Sequence, residues 1–503
     1  MNRLLPFALC LALGCGGARA VPDADDKKPD DDKKPVAEGK RDPLDRNMAD
    51  TVEKGVPDAF SAKRGKHKNI KWHQPLGSLA NSGPVIAGGR IYIGTNNDKP
   101  RDPMVKGDKG VLMCFDQETG KFLWQIVHDK LEGGAAVDYP REGVASAPFV
   151  EGDTLWYVSN RAEIVCADAA KGTVKWKKDM IEEYEVYPCQ LANSSPVVVG
   201  DLVYALTGNG VDINAGTQPS PKAPSLVAVD KKTGKKAWQF TCEQPVMRGQ
   251  WSSPTAAKVG GKWQVLAACG DGWIYGLSAD KGEMLWKFDL NRKKDKPFKP
   301  GGSGEKSFPI ATPVVVGTYC YIACGQEPED GTGMSRLWCI DISRKPANKQ
   351  KDLSPAEDDF DPKSPKNKDS GLVWHYGGKL PKARDDGRDF DFGRTLSTVA
   401  VHDGVVYATE LAGFLHALDA KTGEKLWEHD FVQSTWCSPY YVDGKVYVGL
   451  DSGEVHVFKA GRKKSEPKVN EATGMVKLPP MFRNGVMYLN CGTTLLAIEA
   501  PRK

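Results

Sequence analysis

Residues 417–427 read A-L-D-A-K-T-G-E-K-L-W, and the reading of the whole chain turns on how often this pattern returns. Leu415 to Leu418 is short, apolar and alternating, Ala420 to Gly423 is turn chemistry, and Lys425 to Trp427 starts a return strand. Asp419 is placed to accept hydrogen bonds from backbone N–H groups across the turn. Gly423 can take the positive φ that a tight reversal needs. One such hairpin decides nothing; its copies do.

The pattern recurs at residues 114–124 (C-F-D-Q-E-T-G-K-F-L-W), 166–176 (C-A-D-A-A-K-G-T-V-K-W) and 228–238 (A-V-D-K-K-T-G-K-K-A-W). A weaker copy spans 276–286, and Cys339-Ile340-Asp341 begins another whose Trp374 follows a long insertion. Decayed copies lie at 457–459 and 497–499. A second signature precedes each copy: a Pro, or its stand-in, followed by an aromatic residue that ends a Gly-containing hairpin. The pairs are Pro84/Tyr92, Pro148/Trp156, Pro196/Tyr204, Pro254/Trp263, Pro313/Tyr321, Val399/Tyr407, Pro439/Tyr447 and Pro480/Tyr488. Such units, mostly about 40 to 60 residues apart, predict an all-β, eight-bladed β-propeller of four-stranded antiparallel blades. The last unit has no Trp strand, while Trp72 lies in an orphan strand before the first unit. The strand around Trp72 is therefore expected to join the last blade and close the ring.

The two signatures together resemble the pyrroloquinoline-quinone (PQQ) repeat family, whose blades carry an A-x-D-x-x-T-G-x-x-x-W docking motif. The resemblance covers roughly residues 69–502. It implies that Trp72, Trp124, Trp176, Trp238, Trp286, Trp374 and Trp427 dock neighbouring blades, with Asp116, Asp168, Asp230 and Asp419 making the turns. The family holds quinoprotein dehydrogenases, which bind PQQ and Ca²⁺ at the propeller centre. It also holds non-enzymatic propellers such as the lipoprotein of the outer-membrane β-barrel assembly machinery. The dehydrogenases typically carry a disulfide between adjacent cysteines, and no Cys-Cys pair occurs here. Their calcium is held by Glu, Asn and Asp; Glu142, Asn193 and Asp391 stand near blade starts without completing that set residue by residue. The expectation is a non-catalytic scaffold, closer to the assembly lipoprotein, with no cofactor. A PQQ- and calcium-dependent dehydrogenase of alcohols or sugars is the alternative.

Other chemistry is scarce. The net charge of +4 over 503 residues is too small and too evenly spread for nucleic acid. No G-x-S-x-G elbow, Walker loop, H-E-x-x-H or C-x-x-C occurs. Cys114, Cys166 and Cys339 occupy a repeat position held elsewhere by Ala228, Ala417 and Ala497, which reads as core packing. Cys189, Cys242, Cys320 and Cys437 are left over, and a disulfide among them is open. The acidic loop 385–391 has the carboxylate density of a hard-cation site without its ligand spacing. In propellers the segments that lead into each first strand approach the central funnel. Here they carry Arg141, Gln190, Arg248, Gln250, Trp251, Arg394 and Trp436, a candidate binding surface for a protein or extended polymer.

The N-terminus reads as a targeting segment: Arg3, an apolar run from Leu4 to Gly14, and small residues Ala18 and Ala20 around a cleavage position. A lipoprotein-type reading instead lipidates Cys15 and tethers a monomeric propeller to a membrane in the cell envelope. Residues 21–68, rich in Asp, Lys and Pro, are expected to be a disordered linker, and 343–371 a mobile excursion.

Overall fold

The computed structural model describes residues 42–191, 193–297, 304–325, 333–356 and 368–501. The signal segment 1–20, Cys15, the linker up to residue 41 and the middle of the 343–371 insertion lie outside the described residues.

Eight sheets are arranged as eight blades of four antiparallel strands ordered from the channel outward, and the sheet of blade 7 carries a fifth strand on its inner edge. Blade 1 runs Val85–Ala87, Arg90–Asn96, Lys109–Asp116 and Phe122–Asp129. Blades 2 to 7 start at Phe149, Val197, Thr255, Val314, Ala400 and Tyr440. Blade 8 takes Met481–Arg483, Val486–Asn490 and Thr494–Glu499 from the C-terminal end and Ile70–Pro75 from before blade 1. Trp72 pairs with Ala497, so the ring closes as the sequence requires.

Each motif turn receives the tryptophan of the preceding blade. Gly120, Gly172, Gly234, Gly282 and Gly423 lie directly under Trp72, Trp124, Trp176, Trp238 and Trp374; a Cβ at Gly282 would stand 2.4 Å from the ring of Trp238. Gly282 also has φ +70°. Two independent reasons therefore demand glycine there, a left-handed backbone and the absence of room. Trp286 departs from the pattern, because blade 5 has no glycine turn to receive it. Its indole N–H donates to Gln264 Oε1 at 2.8 Å within its own blade. Trp427 donates to the Gly461 carbonyl of blade 7. The motif aspartates cap their turns: Asp116 and Asp230 accept from Thr119 and Thr233 through both amide and hydroxyl. Asp168 accepts from the amides of Ala170 and Lys171, and Asp419 from those of Lys421 and Thr422.

The aromatic of the second signature makes a further joint. Tyr92, Trp156, Tyr204, Tyr321 and Tyr488 each donate to a backbone carbonyl in the turn of the next blade: Ala169, Lys231, Ala279, Ala420 and Gln117. Nearer the axis, hydroxyls just before the inner strands form a belt. Ala147 N donates to Ser195 Oγ, Ser195 N to Ser253 Oγ, Thr312 N to Thr398 Oγ1 and Thr398 N to Ser438 Oγ, all at 3.0–3.1 Å.

Two regions differ from the sequence expectation. Residues 42–68 are not a disordered linker: Ala49–Asp50 pairs in parallel with the inner strand Tyr440–Val442 of blade 7, and Val56, Phe60 and Ala62 are buried. Blade 8 offers no turn to blade 7, and this segment takes its place, with Tyr447 donating to the Pro57 carbonyl at 3.0 Å. Sparse but well-spaced apolar residues suffice because the blade joint supplies the core they need. The described part of the insertion is likewise docked. Leu353 is buried and Ser354 Oγ accepts from Asp289 N at the edge of blade 4.

Candidate functional site

The belt of hydroxyls rims a cavity of about 1490 Å³ on the axis of the ring. Gln190, Arg248, Trp251 and Trp436, four of the residues expected at the funnel, line it. Trp251 is fixed by its indole N–H on the Cys189 carbonyl at 3.2 Å and by an edge contact with Phe308. Lys477 Nζ lies 4.4 Å from the ring centre of Trp436, a cation on an aromatic face at the cavity wall. Gln190 holds a left-handed backbone, φ 60°, that places its loop against the mouth.

The other three expected residues do not line the cavity. Gln250 is fully buried behind the wall, where Nε2 donates to the Asn209 carbonyl. Arg141 is exposed on the rim with Asp98 3.8 Å away. Arg394 pins loops through its backbone, to Gly333 and Leu411. A position before a first strand puts a residue at the right end of a blade but does not set its depth or direction.

Sequence reasoning missed several lining residues: Asn81, Tyr139, Lys477 and, from the N-terminal segment, Asp42, Asp45, Arg46 and Met48. Asn81 and Lys477 precede Pro84 and Pro480 and could have been found by extending the same rule to blades 1 and 8. The N-terminal residues carried no signal, because nothing local says that they enter the channel.

The polar groups are arranged as follows. Glu142 accepts from Asn81 Nδ2, and burial raises its carboxyl above the ordinary range against the opposing pull of Lys477. Asn193 Oδ1 is buried with no hydrogen-bond partner, an oxygen aimed at nothing the chain provides. Of the three residues considered for calcium, Glu142 and Asn193 line the cavity. Asp391 instead lies by Arg384 and Lys425 on blade 6. There the acidic loop is held by its own bases, Arg384 forking onto Glu428 at 2.7 and 3.1 Å and Arg388 on Glu410 at 2.6 Å. Among the described residues, no cluster of three His, Cys, Asp or Glu side chains could hold a metal.

None of the ten cysteines of the described residues is in a disulfide, Cys189, Cys242, Cys320 and Cys437 included. Burial pushes the thiols of Cys114 and Cys166 up to about 12 and about 11, which makes them packing groups and not nucleophiles. Among the described residues, no helix is long and apolar enough to cross a membrane.

Comparison with known proteins follows the geometry. The PQQ-repeat family model described as outer membrane protein assembly factor BamB matches residues 58–218, 108–352 and 366–475. Among curated proteins, lupanine 17-hydroxylase [cytochrome c] of a Pseudomonas species is 26% identical over 409 residues, covering 74% of this chain and 52% of the relative. Quinohemoprotein alcohol dehydrogenase of Comamonas testosteroni is 24% identical over 461 residues, covering 81% and 58%. The chain thus spans between half and three-fifths of the length of these two relatives. Among solved structures, BamB from Moraxella catarrhalis superposes with a TM-score of 0.54 at 15% identity, covering 86% of this chain and 99% of that one. The Comamonas dehydrogenase gives 0.57 at 12%, covering 86% and 77%. These likenesses carry the fold. The curated relatives correct one expectation, that the propeller takes no cofactor: several of them are quinoprotein or quinohemoprotein dehydrogenases. With the family model matching most of the chain and the eight docked blades in place, the chain belongs to the PQQ-repeat β-propeller family.

Proposed function

We propose that the protein is an exported, envelope-located propeller that binds a quinone cofactor of the PQQ kind in its axial cavity and oxidises alcohols. The observation that carries this reading is the lining of that cavity: Arg46, Arg248 and Lys477 for carboxylates, Trp251 and Trp436 for a planar ring, and an orphaned Asn193 oxygen. The volume exceeds the roughly 300–1,000 Å³ of ordinary small-molecule sites, leaving room for cofactor and substrate together.

The residues fit a planar organic polyanion. They fit only part of a calcium site, since Glu142 and Asn193 supply oxygens but Asp391 stands elsewhere. A bound quinone would supply the two-electron acceptor. Within the chain, Arg248 and Lys477 orient the anion, Trp251 and Trp436 exclude water from its faces, and the Glu142 carboxyl is placed to take the proton of a substrate hydroxyl. Burial raises that carboxyl above its ordinary range, which makes its ionised form a stronger base towards an alcohol proton.

The test is titration of purified protein with PQQ, with and without Ca²⁺, followed by tryptophan quenching and by dye reduction with primary alcohols. Saturable one-to-one quenching, with turnover abolished in Glu142→Gln, is expected. Absence of stoichiometric binding under both conditions overturns the reading.

A second reading is a non-catalytic envelope scaffold for a protein or extended polymer. The family model's own description favours it. It predicts that a partner captured from outer membranes is lost when Arg248, Trp251 and Arg394 are replaced together; capture unchanged by the triple replacement counts against it.

A further inference from the structure

The repeat register sets one blade joint apart from the others. The residue two positions after a motif tryptophan shares its face of the strand, looks toward the next blade and meets a residue of that blade's third strand. Phe240 meets Tyr275 there with ring centres 4.9 Å apart, Phe288 meets Trp338 at 5.5 Å and Tyr376 meets His416 at 5.6 Å. The hydroxyls in these pairs have partners: Tyr275 Oη donates to Asp271, and Tyr376 Oη shares a hydrogen bond with His416 Nδ1. Between blades 6 and 7 both places are taken by histidine, His429 and His456, with ring centres 6.1 Å apart.

His429 stands on the outer strand Lys425–Asp430 of blade 6, and His456 on the third strand Glu454–Lys459 of blade 7. Phe431 and Phe458 complete an apolar box around them. His429 lies 4.9 and 5.0 Å from the two phenyl rings, and His456 lies 5.1 Å from Phe431. His456 Nε2 sits 2.9 Å from Glu454 Oε2, so in the neutral ring Nε2 carries the proton and Nδ1 presents a lone pair. That Nδ1 is buried with no hydrogen-bond partner among the described residues, and so is Nδ1 of His429. Burial, with Lys464 and His456 adding to it, holds the His429 pKa below the ordinary imidazole value, which keeps the ring a neutral donor of a lone pair. A buried polar atom ordinarily has a partner, and here two ring nitrogens in one box have none.

We infer that a divalent transition-metal ion binds between His429 and His456 and ties blade 6 to blade 7, with water completing its coordination. A metal–imidazole bond of about 2.0–2.1 Å, with the ring nitrogen about 1 Å from its ring centre, places two ligating rings about 6 Å apart when they approach the ion from nearly opposite sides. The spacing of 6.1 Å meets that requirement. Imidazole nitrogens select ions of the zinc, copper and nickel kind, whereas calcium and magnesium need oxygen. Glu454 acts through His456 by fixing its tautomer, a positioning role. Solvent reaches the box from the side of Val432, which follows Phe431 and is 86% exposed. Both histidines lie in the outer half of their sheets, apart from the axial cavity, so the inference is independent of the function proposed above.

The experiment is isothermal calorimetry with Zn²⁺ and with Cu²⁺ on the purified, untagged chain after chelator treatment, joined to electron paramagnetic resonance of the Cu²⁺ form. A stoichiometric ion is expected, with a copper spectrum that shows two imidazole nitrogens. His429→Phe and His456→Phe restore the aromatic filling of the other joints. Each is expected to weaken Zn²⁺ binding about tenfold or more and to remove the rise in melting temperature that Zn²⁺ gives the wild type. Absence of a stoichiometric ion overturns the inference, as does a copper spectrum with one imidazole nitrogen or none. Unchanged Zn²⁺ affinity in either variant overturns it too, because the ion is then held elsewhere. The spectrum is read on the wild type, so it decides the matter even where a variant fails to fold.

Discussion

The repeated unit of cohesion is a single contact, an indole lying on a glycine turn. At Gly282 and Trp238 the ring meets bare backbone, and the indole N–H reaches the Ala279 carbonyl at 3.0 Å. The tryptophan thus buries a large apolar face while its one polar atom is satisfied, which is what a buried indole requires. Trp238→Ala is expected to lose about 3–5 kcal/mol of unfolding free energy, read from the denaturant midpoint at unchanged slope. A loss under 1 kcal/mol would show that the blades do not depend on this joint. A second residue-scale effect concerns Asp271, buried at the start of a blade 4 hairpin. Burial pushes its carboxyl up to about 7, although Tyr275 Oη donates to it at 2.5 Å and the Trp273 amide at 3.1 Å. The folded state therefore binds the proton more tightly than the unfolded chain does. This contribution is present below about pH 4 and falls as pH rises towards 7, by at most about 1.4 kcal/mol per pH unit. Asp271→Asn should flatten that limb of the stability profile in urea melts at pH 5, 6 and 7; a parallel slope in the variant would contradict the assignment.

At the scale of elements, the N-terminal segment does two jobs that the blades cannot do for themselves. Its strand Ile70–Pro75 covers the edge of Thr494–Glu499, which would otherwise offer a row of unpaired N–H and C=O groups. The stretch before it fills the joint between blades 7 and 8, with Phe60 N donating to Asn470 Oδ1 at 2.7 Å and Gly485 N to Glu53 at 3.2 Å. A chain beginning at residue 76 should therefore self-associate, visible as mass above the monomer in light scattering. A chain beginning at residue 51 keeps the closing strand and the wedge and should stay monomeric, having lost only the part that enters the channel. If both truncations behave alike, the division of labour within this segment is wrong. The hydroxyl belt is the matching device nearer the axis. It ties the blade entrances together at a fixed depth, so the cavity wall is built on hydrogen-bonded strands rather than on loops alone.

For the molecule as a whole, ring closure converts eight similar hairpin units into one object with an axial cavity. Architecture was legible because the motif is local: Asp and Gly make a turn within four residues, and Trp follows at a fixed strand position. Eight copies then leave closure as the arrangement that pairs the orphan Trp72 strand. The cavity was only partly legible. Position before a first strand correctly brought Gln190, Arg248, Trp251 and Trp436 to it, but the same rule sent Gln250 into the wall and Arg141 to the rim. Depth and direction depend on backbone details such as the left-handed φ of Gln190 and Arg141, which propensity does not report. The path of residues 42–68 was not legible. Composition gives such a stretch too few apolar residues to order itself, and the surface that orders it, the joint of blades 7 and 8, exists only once the ring has closed. The sequence alone therefore determined the blade count and the closure, through contacts made within or between adjacent repeats. The tertiary structure alone decided what lines the channel, because Arg46 and Asn47 act through partners 149 and 354 residues away, and no local pattern encodes a pairing of that span.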